Sequence, residues 1–347
     1  MGDEGLRRER PTLSDVAGMA GTSVPTVSKV LRGGTDVSPA TRDRVMAAVH
    51  AVGYARASRA TTPRASAAEP DASAMIDLVV DHVHGTWANG VLTGVEAAAT
   101  AANVDVVITI ARPDGNWVSR LLRRPSRGAV VVLVDPAPGQ FAALEAARIP
   151  VVLVTPMSEP AAPAMRVGVT NWDGGRAAAE HLLGLGHQRF AVVGGSRMHL
   201  YSRARIDGFR SALEVGGGAE PTVVHGDWDR ARAAEAIAPI LRRPDRPTAV
   251  FACSDLMAMG VYDAAKAAGL RIPDDLSVVG FDDVPEASWG TPPLTTIRQP
   301  ISEMGEVAVR LLLAASDQGA APEAADLPRV DLSTSLVVRA STARPVA

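Results

Sequence analysis

The spacing of apolar positions changes character once along the chain. In the N-terminal part they recur at helical spacing in three short runs. Leu13, Val16, Ala17 and Ala20 share one face. Thr12 stands where an N-cap belongs, with Asp15 at the N3 position. Gly21 breaks the run and suits the left-handed backbone of a tight helix end. Ser23 is placed to cap a second helix over 24–31. Pro25 is tolerated in its first turn, where the N–H groups lack helical partners anyway. Val27, Val30 and Leu31 face inward on this helix, and Val24, Pro25, Thr26, Ser28 and Lys29 stay outside. Gly33-Gly34 ends it. Ser38-Pro39 opens a third helix with Val45, Ala48, Val49 and Val52 inward, closing at Gly53-Tyr54.

Further on, short runs rich in β-branched residues alternate with longer helical stretches. The runs predict strands at 76–80, 104–110, 129–134, 151–154, 190–193, 249–252 and 277–281. Helices are predicted at 89–102, 139–147, 174–185, 202–215, 231–241 and 255–268. Repeated βαβ units imply mostly parallel sheets with helices on both faces. The repetition is too long for one sheet of usual size, so two similar lobes are expected, meeting near 168–171. Residues 55–74 are rich in Ala, Ser, Thr, Pro and Arg, the composition of a flexible connector. The predicted plan is an all-α head (1–56), a linker (57–74) and a two-lobed α/β body (75–347). One lobe takes 75–169 plus about 298–325, the other 170–297 plus about 326–345.

Charge sharpens this division. The chain has 347 residues and a formal net charge of −3, which by itself argues against nucleic acid. Residues 1–64, however, hold ten Lys or Arg against six Asp or Glu, a balance of +4 that leaves −7 on the rest. A basic module on an acidic body is the footprint of a DNA-binding head. A single cysteine, Cys253, excludes an intramolecular disulfide and suits a reducing cytoplasm. Residues 1–10 are charged and lack a signal peptide's apolar core, and no apolar run reaches bilayer-spanning length. A cytoplasmic protein without a membrane partner is expected.

Two helices joined by a short glycine-containing turn have helix-turn-helix geometry, whose second helix enters the major groove. The plain alternative is a three-helix bundle used for protein contacts. In the body, ligands of such folds sit beyond the carboxyl ends of the strands, between the lobes. The residues that follow the strands include Trp87, Asn171, Trp172, Arg203, Arg205, Trp228, Ser254, Asp282 and Asp283. Tryptophan faces stack on sugar rings, and Asp and Arg bond hydroxyls, so this set favours a carbohydrate. Each tryptophan could instead be ordinary packing.

No enzyme motif is present. Gly194-Gly195-Ser196 lacks the flanking pattern of a nucleophile elbow, and Gly216-Gly217-Gly218 reads as a loop rather than a phosphate cradle. His82 and His84 lack a third metal ligand at suitable spacing. Asp282 and Asp283 are adjacent on a strand, so their side chains point to opposite faces and do not share a substrate. No cofactor, no metal and no catalysis are expected.

The head is similar to that of the lactose repressor family throughout: Thr12-Leu13-Ser14-Asp15-Val16-Ala17, Ala20-Gly21-Thr22-Ser23-Val24-Pro25-Thr26-Val27-Ser28-Lys29-Val30-Leu31, and Val37-Ser38-Pro39-Ala40-Thr41-Arg42-Asp43-Arg44-Val45 with Gly53-Tyr54. The body continues the resemblance at Gly184-Leu185-Gly186-His187-Gln188-Arg189-Phe190-Ala191, Arg203-Ala204-Arg205-Ile206-Asp207-Gly208-Phe209, Ser277-Val278-Val279-Gly280-Phe281-Asp282-Asp283 and Pro292-Pro293-Leu294-Thr295-Thr296-Ile297-Arg298-Gln299-Pro300.

The resemblance implies a periplasmic-binding-protein-like body. It implies that Val24, Pro25 and Lys29 read bases, and that Thr12, Thr26 and Ser28 hold phosphates, with Ser23 at the same helix start. Lys29 stands where many members carry Arg, losing the two-pronged fork while keeping its reach to guanine. Arg205 and Asp282 fall on the family's effector-binding Arg and Asp, Trp228 on its stacking aromatic, and Ser254 where sugar-responsive members carry Asn. The linker departs from the family. It has no minor-groove leucine, and Pro63 stands about where that wedge belongs. A hinge helix over 57–62, with Arg56 and Arg59 near phosphate or in the groove, stays open. The chain ends without leucine heptads, so a homodimer rather than a coiled-coil tetramer is expected.

The reading is a sequence-specific transcriptional regulator, a repressor released by a small carbohydrate bound between two lobes. Left open are a sugar-binding module without DNA function and a regulator responding to a purine or other metabolite.

Overall fold

The structure is a computed structural model that describes residues 12–31, 38–52, 75–112, 116–317 and 327–346. It forms two compact units, divided between Pro70 and Asp71.

The first unit contains α1 (Leu13–Met19), α2 (Val24–Leu31) and α3 (Pro39–Val52). Local chemistry sets each boundary. The Thr12 amide donates to Asp15 Oδ2 at 2.7 Å, and the Asp15 amide donates back to Thr12 Oγ1 at 3.4 Å, the reciprocal capping box that starts α1. Gly21 takes φ +59° and Thr22 N donates to the Ala17 carbonyl at 3.0 Å, closing the helix end. The amide of Thr26 donates to Ser23 Oγ at 3.4 Å and opens α2; that of Thr41 donates to Ser38 Oγ at 3.3 Å and opens α3. Val16, Ala17, Ala20, Val27, Val30, Val45 and Ala48 form the small core.

The second unit holds β1 (Met75–Val80), α4 (Thr86–Ala101), β2 (Asp105–Ile110), α5 (Trp117–Leu121), β3 (Ala129–Val132), α6 (Pro138–Ala146), β4 (Val151–Val154) and β5 (Met165–Val169). It continues with α7 (Asn171–Gly184), β6 (Phe190–Gly194), α8 (Leu200–Gly216), β7 (Thr222–His225), α9 (Arg230–Leu241), β8 (Ala249–Ala252), α10 (Asp255–Ala267), β9 (Ser277–Asp282) and a 3-10 turn (Pro285–Ser288). Last come β10 (Thr295–Arg298), α11 (Ile301–Asp317), β11 (Arg329–Leu332) and β12 (Ser335–Val337).

Two six-stranded sheets result, in the orders β11-β5-β4-β3-β1-β2 and β12-β10-β9-β8-β6-β7. All pairs in the first are parallel, and in the second only β10 with β12 is antiparallel. The central strands are buried on both faces, which is why they read as unbroken apolar runs.

The chain passes between lobes three times: after β5, from β10 into α11, and between β11 and β12. α11 packs along α4 in the first lobe. One expected boundary moves. β11 pairs with β5, so the first lobe extends to Leu332, not to about residue 325. As an edge strand whose side chains are alternately exposed, β11 has no apolar run to announce it.

Candidate functional site

In the first unit the outer face of α2 is built as the pattern predicted. Val24, Pro25 and Lys29 are exposed, while Thr26 and Ser28 are half-buried. Ser23 and Thr26 hydroxyls lie 2.9 Å apart, and the Thr12 hydroxyl donates to Asp15 Oδ2 at 2.7 Å. The hydroxyls expected to meet phosphate therefore also secure the helix starts, and their positions are held before any ligand arrives. Those bonds to Thr12 lower the pKa of Asp15 below the ordinary carboxylate value. Arg56 and Arg59 lie outside the described residues.

The second unit centres on Arg205. Its residue is 3% exposed, on the first turns of α8. The Nε donates to Asn171 Oδ1 at 2.8 Å, and Nη1 donates to the Cys253 carbonyl at 2.6 Å and lies 3.5 Å from Asp282 Oδ1. The Phe281 ring centroid is 3.7 Å from its Cζ, and the Tyr201 and Trp228 centroids are each 5.7 Å away. α7, α8, β8 and β9 thus all contribute to holding one guanidinium.

Asp282 ends β9 with φ +118°, a backbone conformation that L side chains rarely adopt. Gln299 Nε2 donates to its Oδ1 at 2.5 Å. Burial pushes its pKa up to about 6, against the opposing pull of Arg205 and Gln299. Asp283 turns the other way and accepts from Arg298 and Arg339, each at 2.6 Å. The two aspartates take different partners, but Asp283, with φ +56°, lies beyond the end of β9, so strand alternation is not what separates them. Behind them Asp255 accepts from Thr296 Oγ1 at 2.5 Å and from Val284 N at 3.0 Å, tying β10 and the turn after β9 to the start of α10. Burial, then the nearby Asp282 charge, raises the Asp255 pKa.

Trp228 has φ +63° and follows Asp227 at φ +47° in the β7–α9 loop. Its indole lies flat against Gly195, where an added Cβ would sit 2.0 Å from Cζ2, so no larger residue fits there without moving the ring. His199 stacks parallel to the indole at 6.1 Å, and Tyr201 lies 5.0 Å away. The first lobe reaches this cluster through Met157, whose carbonyl accepts from Leu200 N at 2.8 Å and whose amide donates to Asp135 at 2.9 Å. A second bond between lobes runs from Thr86 Oγ1 to Glu286 Oε1 at 2.6 Å. Among the described residues, the buried oxygens Thr155 Oγ1, Ser202 Oγ and Glu286 Oε2 have no hydrogen-bond partner. Thr155 follows β4, with φ +51°, and Ser202 precedes Arg205 by one turn.

Comparison with known proteins decides what this arrangement belongs to. Residues 12–57 match the bacterial regulatory proteins of the lacI family, and 179–342 match the periplasmic binding protein-like domain. The HTH-type transcriptional regulator CelR of Thermobifida fusca is 32% identical over 96% of this chain and 99% of its own length. This chain belongs to the lacI family. The ribose operon repressor of Escherichia coli strain K12 is 29% identical over 87% of this chain and 92% of its own. Among solved structures, a CelR–cellobiose complex has TM-score 0.70 at 30% identity, covering 96% of this chain and all of that one. A lac repressor dimer bound to operator and an anti-inducer has TM-score 0.69 at 28% identity over the same 96% of this chain and all of that one. The α/β body and helix-turn-helix head are those of a LacI-family transcriptional regulator.

Within this LacI-family body, Asp282 and Trp228 both lie against Arg205, at 3.5 Å and 5.7 Å. Ser254 caps α10, accepting from Met257 N at 3.2 Å. Trp87 packs against the core of the first lobe. Trp172 is 41% exposed beneath the Arg176 guanidinium, which lies 5.9 Å from its ring centroid, and the described contacts do not join it to Arg205, Asp282 or Trp228. Sequence reasoning singled out neither His199, Tyr201 nor Gln299. His199 meets Trp228 29 residues on and Gln299 meets Asp282 17 residues back, so only the folded chain reveals those pairings. Among the described residues no cluster of His, Cys, Asp or Glu could hold a metal, and no helix is long and apolar enough to cross a membrane.

Proposed function

We propose that this regulator binds a pseudo-palindromic operator as a homodimer and is released from it by a small carbohydrate held at Arg205, Asp282 and Trp228. The observation that carries the effector half is the pairing of a buried Arg205–Asp282 couple with the flat indole of Trp228. An ionised couple bonds sugar hydroxyls and an aromatic face stacks on the C–H side of a pyranose. The unpartnered oxygens of Thr155 and Ser202 support a ligand rich in hydroxyls, since each costs about 1–3 kcal/mol when left without a partner. The relatives' complexes with cellobiose and ribose point to the same class.

For the DNA half, the head (1–56) supplies Val24, Pro25 and Lys29 to base edges and Thr12, Ser23, Thr26 and Ser28 to phosphates. Arg56, the last residue of the head, and Arg59 of the linker (57–74) lie along the backbone or in the minor groove. Closure of the lobes on the sugar shifts the population of head arrangements away from the operator-binding one. The protein acts in the cytoplasm and performs no catalysis.

The test is operator binding by the purified protein, on the DNA upstream of its own gene, across a panel of mono- and oligosaccharides that includes cellobiose and ribose. Salt-sensitive binding released by one sugar supports the whole reading. Binding released only by a purine overturns the carbohydrate assignment and keeps the regulator. Sugar binding without any operator binding overturns the DNA half.

A further inference from the structure

Trp228 is held by one hydrogen bond whose direction is fixed by chemistry. Its indole N–H can only donate, and it donates to His199 Nδ1 at 3.0 Å. Nδ1 is therefore the lone-pair nitrogen, and the proton of the neutral ring sits on Nε2. The Tyr201 hydroxyl meets the same Nδ1 at 2.9 Å, and the imidazole and indole planes are within 11° of parallel. Arg205 underlies the group, 5.7 Å from both the Tyr201 and Trp228 rings. His199 precedes α8 as its N-cap residue, with Leu200 N bonded to Met157 O of the first lobe. The imidazole therefore joins the Trp228 loop to the element that carries Arg205 and touches the opposite lobe.

From this geometry we infer that His199 is the positioning residue of the effector platform: its unprotonated Nδ1 holds the Trp228 indole in the stacking orientation, and protonation releases it. The inference rests on the reading of this cleft as the effector site. A proton on Nδ1 turns the acceptor the indole uses into a donor, so the bond is lost outright rather than weakened. The groups facing the ring act in both directions. Burial lowers its pKa below the ordinary value, while Asp135, after β3, and Asp227, in the β7–α9 loop, raise it; Tyr201 is its hydrogen-bond partner from α8. The platform is intact at neutral pH and is lost as the pH falls through the imidazole's transition, so effector affinity drops in acid without any change in the DNA-contacting face.

The first arm of the test needs no ligand. Tryptophan emission of the wild-type protein minus that of Trp228→Phe isolates the Trp228 contribution, followed between about pH 8 and about pH 5. The expected result is a one-proton transition centred below about 6.5, absent in His199→Asn, whose amide oxygen can accept from the indole but does not titrate. A Trp228 signal that is flat with pH, or a transition that persists in His199→Asn, overturns the inference.

The second arm uses cellobiose as probe, by calorimetry. His199→Asn keeps the neutral-pH affinity within about threefold and falls less steeply in acid than the wild type, the remaining fall belonging to Asp282; His199→Leu, unable to accept, binds at least about tenfold more weakly at neutral pH. Arg205→Ala separates the two readings. Cellobiose binding that survives Arg205→Ala sinks the cleft assignment itself. Binding lost in Arg205→Ala but untouched in His199→Leu sinks only the role of His199. Where cellobiose does not bind the wild type, the fluorescence arm decides alone.

Discussion

Arg205 Nη1 stands 3.5 Å from Asp282 Oδ1, and the two side chains are only 4% and 12% exposed. A buried ion pair adds little net stability, but removing one partner leaves an uncompensated charge and costs about 3–5 kcal/mol. Arg205 additionally braces Asn171 and the Cys253 carbonyl. Arg205→Ala is therefore expected to abolish the effector response and lower the melting temperature of the body while the isolated operator affinity holds. Fluorescence anisotropy on operator DNA, with and without sugar, reads the first part, and a normal sugar response in this variant contradicts the site.

Asp282 gives a pH signature with a definite sign. Burial raises its pKa to about 6, above the value of about 4 in an unfolded chain. The folded state thus holds this proton more tightly, and the associated stability is full below about pH 4 and is lost as the pH rises through about 6. Asp255, raised in the same direction, adds to the trend. Urea midpoints of Asp282→Asn should decline less over this window than those of the wild type. Superimposable profiles would falsify the assignment of the raised carboxyl to Asp282.

Gly195 tests the stacking platform from below. An added methyl would meet Trp228 at 2.0 Å, well inside contact distance, so the ring must shift from the position in which it bonds His199. Gly195→Ala should weaken sugar binding by about tenfold or more, a loss of about 1.4 kcal/mol, with the body still folded by circular dichroism. Undiminished affinity means the indole does not stack on the effector.

The head offers an independent prediction. Lys29 is exposed on α2, where a lysine can reach a guanine edge. Lys29→Ala should cost about 1–3 kcal/mol on operator and less on random-sequence DNA, read by anisotropy at fixed salt. Equal losses on both would make Lys29 a phosphate contact rather than a base reader.

How far these residues could be read without coordinates follows from how local their constraints are. The caps at Thr12, Ser23 and Ser38 and the turn at Gly21 depend on three or four neighbouring residues, so the head's helices emerged from spacing alone. Strands such as Val151–Val154 and Ala249–Ala252 are buried on both faces and announce themselves as apolar runs. Interrupted or edge strands do not: β5 carries Arg166 and Gly168 in its middle, and β7, at a sheet edge, is half-exposed. The predicted helices omit α11, although Met304, Val307, Ala308, Leu312 and Ala315 repeat at helical spacing.

At the site, the folded chain gathers Asp282 and Trp228 around Arg205, but position after a strand could not say which way a side chain turns. Trp87 turned to the core and Trp172 to the surface. The His199–Trp228 bond joins residues 29 apart and was beyond any local rule.

The bond from Thr86 to Glu286 joins the start of α4 in the first lobe to the 3-10 turn of the second, at 2.6 Å. The other carboxylate oxygen, Oε2, is buried without a partner, so the carboxylate depends on this one hydroxyl. Hydrogen bonds to charged groups contribute about 1.5–3 kcal/mol, enough to bias a lobe equilibrium about tenfold or more. Thr86→Val preserves shape and removes the donor. It should favour the open arrangement and raise the effector's dissociation rate and Kd by about tenfold. Stopped-flow dissociation of the sugar distinguishes this from damage to the site: a slower association rate with unchanged dissociation would show that the contact forms before the effector arrives and does not respond to it.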